Sequence, residues 1–159
     1  MINNKKFKSV GIVGFGGYLP YWRVETREVA EQWQMGEAKA ESLGVKHKAV
    51  VGRDEDCLTM AVEASITALR RAKIKPKKIG AVFVGSESHP YAVKPTGTIL
   101  ADVLGIGSEY FVSDLQFACK AGTAGLQIIA SMITRELAEN VINDTMQDPP
   151  LTVKLISLL

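Results

Sequence analysis

Cys119 is the residue best placed for chemistry. It follows a strand-like stretch, Tyr110 to Phe117, and precedes Lys120 and the small residues Ala121-Gly122-Thr123-Ala124-Gly125. A thiol between a strand end and a helix start meets unpaired N–H groups and the positive end of the helix dipole, which favour the thiolate. The small neighbours leave room for an incoming acyl group, and Lys120 adds positive charge. A lone cysteine is also commonly a packed structural residue, and that reading competes. Cys57 lies inside an amphipathic stretch and reads as packing.

Glu87 is the second candidate. It sits in Ser86-Glu87-Ser88-His89-Pro90, just beyond the apolar run Ile79 to Gly85. A partly desolvated carboxylate at a strand end would have a raised pKa suited to proton transfer. Sites in α/β proteins gather at the carboxyl ends of parallel strands, so Glu87 and Cys119 are expected to face one pocket. Taken alone, Glu87 reads first as a solvated loop acid. His89 is a candidate base, but a loop histidine beside proline is expected at the surface. His47, between Lys46 and Lys48, carries no signal. No second cysteine or histidine sits at metal-ligand spacing, so no metal site is expected.

Glycines 11, 14, 16 and 17 follow the spacing G-x-x-G-x-G-G. The dinucleotide fingerprint is G-x-G-x-x-G, and Pro20 blocks the helix start that would hold a pyrophosphate. A tight turn permitting close backbone approach explains these glycines better.

The elements that must position Cys119 and Glu87 follow from periodicity. Residues 9–15 read as a buried strand and 26–34 as a short helix with Thr26 as its N-cap. Residues 42–56 read as loop and weak strand. Asp54 or Asp56 caps a helix through Ala72 whose apolar stripe is Leu58, Ala61, Val62, Ser65, Ile66 and Leu69. Arg70, Arg71 and Lys73 suit its C-terminal end, and Pro76 stops it. Residues 79–85 form a strand covered on both faces. A polar loop spans 86–95, a helix 96–104 ends at Gly105, a strand spans 110–117 and a helix 126–138. The order β-α-α-β-α-β-α predicts an α/β fold with a largely parallel sheet and right-handed crossovers.

Composition excludes other classes. The chain has 159 residues, 47% hydrophobic and 23% charged, with a formal net charge of +2. That composition supports a real core and argues against both disorder and dedicated nucleic-acid binding. The positive charge is scattered apart from Lys5, Lys6 and Lys8 and a cluster from Arg70 to Lys78. No stretch approaches a membrane span, the N-terminus lacks the apolar core of a signal peptide, and two cysteines make no disulfide framework. The expected setting is the reducing cytoplasm.

The strings Gly85-Ser-Glu-Ser-His-Pro-Tyr-Ala-Val-Lys-Pro-Thr-Gly-Thr98 and Phe117-Ala-Cys-Lys-Ala-Gly-Thr-Ala-Gly125 are specific. With Gly11-Ile-Val-Gly-Phe-Gly-Gly-Tyr-Leu-Pro20 and Gly52-Arg-Asp-Glu-Asp-Cys-Leu-Thr-Met-Ala-Val-Glu-Ala64, they resemble the archaeal-type hydroxymethylglutaryl-CoA synthase family of the thiolase superfamily. The resemblance runs from residue 9 to about residue 133. It implies a layered thiolase-like fold of which this chain is an incomplete first half. It also implies that Cys119 accepts acetyl from acetyl-CoA and that Glu87 moves the proton as the acetyl methyl becomes a nucleophile towards acetoacetyl-CoA. The product would be 3-hydroxy-3-methylglutaryl-CoA, in the mevalonate pathway of isoprenoid synthesis. No cofactor beyond the CoA thioester substrates is implied. Family members form homo-oligomers, and the archaeal type associates with a thiolase and an acyl-CoA-binding scaffold protein. The family's catalytic histidine lies in a second half that this sequence does not match.

The resemblance places a boundary near residue 135: a thiolase-like half-domain over 1–135 and a divergent tail over 136–159. Leu151 to Leu159 is apolar and reads as a final strand or as unrelated sequence. A truncated or frame-shifted product is the favoured explanation, over one piece of a split enzyme or a replacement strand. Without the histidine and its polar partners, such a fragment would lose several kcal/mol of transition-state stabilisation. A non-catalytic binding or assembly module is the alternative from another class. A ketoacyl-carrier-protein synthase III-like condensing enzyme is the nearest enzymatic rival, and the Ser-Glu-Ser-His-Pro stretch argues against it.

Overall fold

The structure, a computed structural model, describes residues 10–36, 42 and 44–134. The proposed boundary near residue 135 and the apolar tail lie outside the described residues, as does the basic start. The described residues divide into two compact units, one within 19–56 and the other made of 10–18 and 57–134.

The smaller unit is built on an antiparallel pair. Strand β1 (Trp22–Glu25) pairs with β2 (His47–Val50), matching Trp22 to Val50 and Glu25 to His47. Helix α1 (Thr26–Gln32) follows β1 directly. Glu25, not Thr26, holds the cap position, and it makes no side-chain cap bond. The Thr26 hydroxyl instead donates to Val45 O at 2.6 Å, and its N–H donates to Lys46 O at 3.0 Å. These bonds tie the helix start to the segment entering β2, so the predicted N-cap threonine acts across the hairpin. Strand β1 was not expected from its sequence, because Trp22-Arg-Val-Glu does not alternate cleanly.

The larger unit carries the chemistry-bearing residues. Helix α2 (Cys57–Ala72) begins directly after Asp56 and ends before Lys73, which adopts φ +56°. A 3-10 turn over Pro76–Lys78 leads to β3 (Ala81–Gly85). Helix α3 (Thr96–Leu104) ends on Gly105 at φ +70°, as the sequence predicts. Its N–H groups at Gly105 and Ile106 close back onto Asp102 O and Ala101 O. Strand β4 (Phe111–Leu115) pairs in parallel with β3, Ala81 opposite Phe111 and Gly85 opposite Leu115. A 3-10 turn over Ala118–Lys120 then enters α4 (Ala121–Thr134). The last helix therefore opens in the small residues that follow Lys120, and the apolar run from Leu126 continues it.

The core lies between α2, α3 and the β3–β4 pair. Leu100 and Ala101 are fully buried, with Val82, Val84, Leu69, Ile74, Ile79 and Ile106 around them. The buried side of α2 is rotated from the predicted stripe. Ala64 and Ala68 are buried while Ile66 is 38% exposed. The cause is the segment 10–18, which includes the described part of the strand expected over 9–15. The described part of that run forms no ladder, and Ile12 and Phe15 are exposed. It lies instead along α2. A Cβ on Gly14 would sit 2.7 Å from Ala68 O, and one on Gly16 would sit 2.0 Å from Ala64 O. The glycines thus serve close backbone approach, and they select the alanine face of α2. Arg71 reinforces the contact by donating to Phe15 O at 3.0 Å with its guanidinium 4.8 Å from the Phe15 ring centroid.

Candidate active site

Parallel pairing of β3 with β4 brings the two strand ends side by side, and each delivers one candidate residue. Beyond Gly85, the Ser86 N–H donates to Leu115 O at 3.0 Å, extending the ladder by one bond. Glu87 is the next residue. Beyond Leu115, two residues lead into the turn that holds Cys119, which Lys120 N–H closes onto Phe117 O at 3.0 Å.

The two segments meet at Ala118. Its N–H donates to Glu87 Oε1. One carboxylate oxygen of Glu87 is therefore fixed at the residue directly before Cys119, which brings the two predicted site residues into one neighbourhood. Ala118 itself has φ +42°, a left-handed conformation that costs an L-residue about 1–2 kcal/mol. Non-glycine residues held there concentrate at functional sites. Sequence reasoning missed Ala118, since an alanine carries no signal of backbone strain.

Cys119 is exposed and stands in the turn that leads into α4, as its sequence context predicts. Cys57, at 2% exposure, is packed in the core as expected. Glu87 is also exposed, as its reading as a solvated loop acid has it. The ammonium of Lys120 lies 5.3 Å from the Phe117 ring centroid. Among the described residues no group of three or more His, Cys, Asp or Glu is arranged to hold a metal ion.

His89 departs from expectation. It was expected at the surface, yet its side chain is only 5% exposed. Its Nδ1 lies 2.8 Å from Thr96 Oγ1 and 3.5 Å from Asp114 Oδ2. Asp114, on β4, caps α3 from outside the helix. Its Oδ2 accepts the Thr96 N–H at 2.6 Å and its Oδ1 the Gly97 N–H at 2.9 Å. The reason His89 is inside is that the loop folds back over this cap. Asp114 and Thr96 could have been suspected only by knowing that β3 and β4 are neighbours with α3 between them.

Glycines make the approach of these elements possible. A Cβ on Gly85 would lie 2.7 Å from both Ala121 C and Gly122 N, so the end of β3 abuts the first turn of α4. A Cβ on Gly97 would lie 2.6 Å from Val112 Cγ2, so the start of α3 abuts β4.

Known proteins share both sequence and fold. No protein-family model matches the chain. A hydroxymethylglutaryl-CoA synthase of Archaeoglobus fulgidus is 57% identical over 125 residues, covering 78% of this chain and 36% of the relative. That of Methanococcus maripaludis is 47% identical over 147 residues, covering 90% and 42%. That of Methanocaldococcus jannaschii is 52% identical over 124 residues, covering 77% and 36%. The chain therefore spans well under half the length of these relatives, and it matches their N-terminal portion. Among solved structures, a variant of Xanthomonas campestris OleA superposes with TM-score 0.75 at 24% identity, covering 82% of this chain and 41% of that one. The priming β-ketosynthase of the R1128 polyketide pathway superposes with TM-score 0.70 at 28% identity, covering 77% and 37%. The fold is thus that of thiolase-like condensing enzymes, represented here by part of one.

Proposed function

We propose that this chain carries the acetyl-accepting portion of a hydroxymethylglutaryl-CoA synthase. The observation that supports it is the bond from Ala118 N–H to Glu87, which sets a carboxylate beside an exposed thiol at a helix start. The sequence relatives name the reaction.

In this reading the Cys119 thiolate attacks the carbonyl carbon of acetyl-CoA. A carbon–sulfur bond forms to Cys119, and coenzyme A leaves as its thiol after taking a proton. The thioester makes the acetyl methyl protons acidic, and the Glu87 carboxylate removes one. The resulting carbon nucleophile attacks the ketone carbon of acetoacetyl-CoA. The alkoxide formed takes up a proton, water hydrolyses the Cys119 thioester, and 3-hydroxy-3-methylglutaryl-CoA leaves with the thiol regenerated. Cys119 and Glu87 are the catalytic residues of these steps. Polar groups for the alkoxide, including the histidine that the resemblance places in the second half, have no counterpart among the described residues in this reading. Residues 1–159 by themselves are accordingly expected to be impaired in condensation. The cytoplasmic setting, the mevalonate pathway, and association with a thiolase and a scaffold protein belong to the same proposal.

Intact-protein mass spectrometry after incubation with acetyl-CoA tests it. The expected result is a gain of one acetyl group that maps to Cys119 and is absent in Cys119→Ala. A wild-type chain that remains folded and takes no acetyl group overturns the reading.

A further inference from the structure

Glu87 is exposed, and the next loop residues that could hold it are few. Ser86 is tied to β4 through Leu115 O, and the Ser88 N–H donates to Ser86 Oγ at 3.1 Å. Residues 91–95 are all exposed. On the C-terminal side of Glu87, the His89 side chain is only 5% exposed. It reaches Thr96, fully buried, and Asp114, whose carboxylate is already held by two α3 N–H groups.

We infer that His89, linked through Nδ1 to Thr96 and Asp114, is a positioning residue that holds the Glu87 carboxylate on Ala118 beside Cys119. The cluster joins the loop carrying Glu87 to the strand that delivers Cys119. His89 lies two residues after Glu87, and Asp114 five before Cys119, so a shift at the cluster is transmitted to both over a short length of chain. The inference rests on the proposed roles of Glu87 and Cys119.

A second observation supports a polar role over simple filling. His89 Nε2 is buried with no hydrogen-bond partner. A leucine or phenylalanine would fill the space without an unsatisfied nitrogen, which always carries a penalty. The imidazole is therefore explained by what Nδ1 does. With the proton on Nδ1, it donates to Thr96 Oγ1 with the Asp114 carboxylate 3.5 Å away, and Nε2 is left as a bare acceptor rather than a stranded donor.

The Ala118 amide reports the arrangement without requiring turnover. In the isotopically labelled full chain, its proton resonance is expected to move as Glu87 titrates, and Glu87→Gln removes that movement. His89→Leu and Thr96→Val are expected to reduce its amplitude by at least about half and to speed Ala118 amide exchange by about tenfold. His89→Asn, which returns an amide near the Nδ1 position, and Thr96→Ser are expected to restore most of both. A residue that only supported α3 would alter melting without moving the Ala118 signature. If His89→Leu fails to fold, Thr96→Val against Thr96→Ser carries the comparison. Folded His89→Leu or Thr96→Val with an unchanged Ala118 titration overturns the inference. Absence of acetylation at Cys119 overturns the proposed function instead, and leaves this measurement readable.

Discussion

Gly85 and Ala121 are in contact through their backbones: a Cβ on Gly85 would stand 2.7 Å from the Ala121 carbonyl carbon and 3.0 Å from its Cβ. Neither element can yield easily, since Gly85 ends the strand paired with β4 and Ala121, at 2% exposure, opens α4. Gly85→Ala is therefore expected to destabilise the chain by about 1–3 kcal/mol, the usual range for overpacking a tight contact. Chemical denaturation measures it. The same substitution pushes apart the two segments that present Glu87 and Cys119, so any acetylation of Cys119 should fall along with stability. An unchanged denaturation midpoint would show that the strand end and the helix start are not packed this closely.

Asp114 is the second point on which the site depends. Its two oxygens satisfy two of the N–H groups that a helix start leaves unpaired. Pro95, at the cap position of α3, makes no side-chain cap bond, so the strand supplies what the local sequence lacks. Asp114→Ala is expected to cost about 1–2 kcal/mol, as for loss of a good N-cap. Asp114→Asn keeps one acceptor oxygen but turns an NH2 group towards a backbone donor, so it is expected to recover only part of the loss. Full recovery by asparagine, measured by thermal or urea unfolding, would mean that a single bond does the capping.

How much of this arrangement is legible in the sequence depends on the range over which each residue acts. Helix α3 and its Gly105 terminus are readable because a nine-residue amphipathic run and a left-handed glycine are local signals. The β3 core is readable because Val82, Phe83 and Val84 are continuous. Cys119 at a helix start is readable for the same reason. The run 9–15 misleads because it has the composition of a buried strand, while the contact that places Gly14 and Gly16 is glycine against the alanines of α2, some fifty residues away. His89 misleads because its partners Thr96 and Asp114 are brought to it by the β3–α3–β4 crossover. The strain at Ala118 arises from the path between β4 and α4, which no property of an alanine side chain announces.

That strain has a measurable consequence. Ala118→Gly removes the left-handed penalty of about 1–2 kcal/mol, against about 0.5–1 kcal/mol for the greater freedom glycine loses on folding. The net expectation is a gain of up to about 1.5 kcal/mol in unfolding free energy. The backbone N–H remains, so the bond to Glu87 can still form, but the turn before Cys119 is less constrained. A more stable chain that is less readily acetylated would identify the strain as part of how the thiol is presented. A loss of stability would show that φ at Ala118 is not left-handed.

The two cysteines supply a direct check on the site's accessibility. Cys57 is 2% exposed at the start of α2 and part of the core, whereas Cys119 is exposed in the turn before α4. Alkylation requires a thiolate that the reagent can reach. Under native conditions iodoacetamide is expected to modify Cys119 at least about a hundredfold faster than Cys57, because Cys57 must wait for α2 to open. In denaturant the two rates should converge to within a few fold. Peptide mapping at a series of times distinguishes them. Comparable native rates would place Cys57 outside the core, or Cys119 within it, and the second outcome would also remove the accessible nucleophile that acetyl transfer needs.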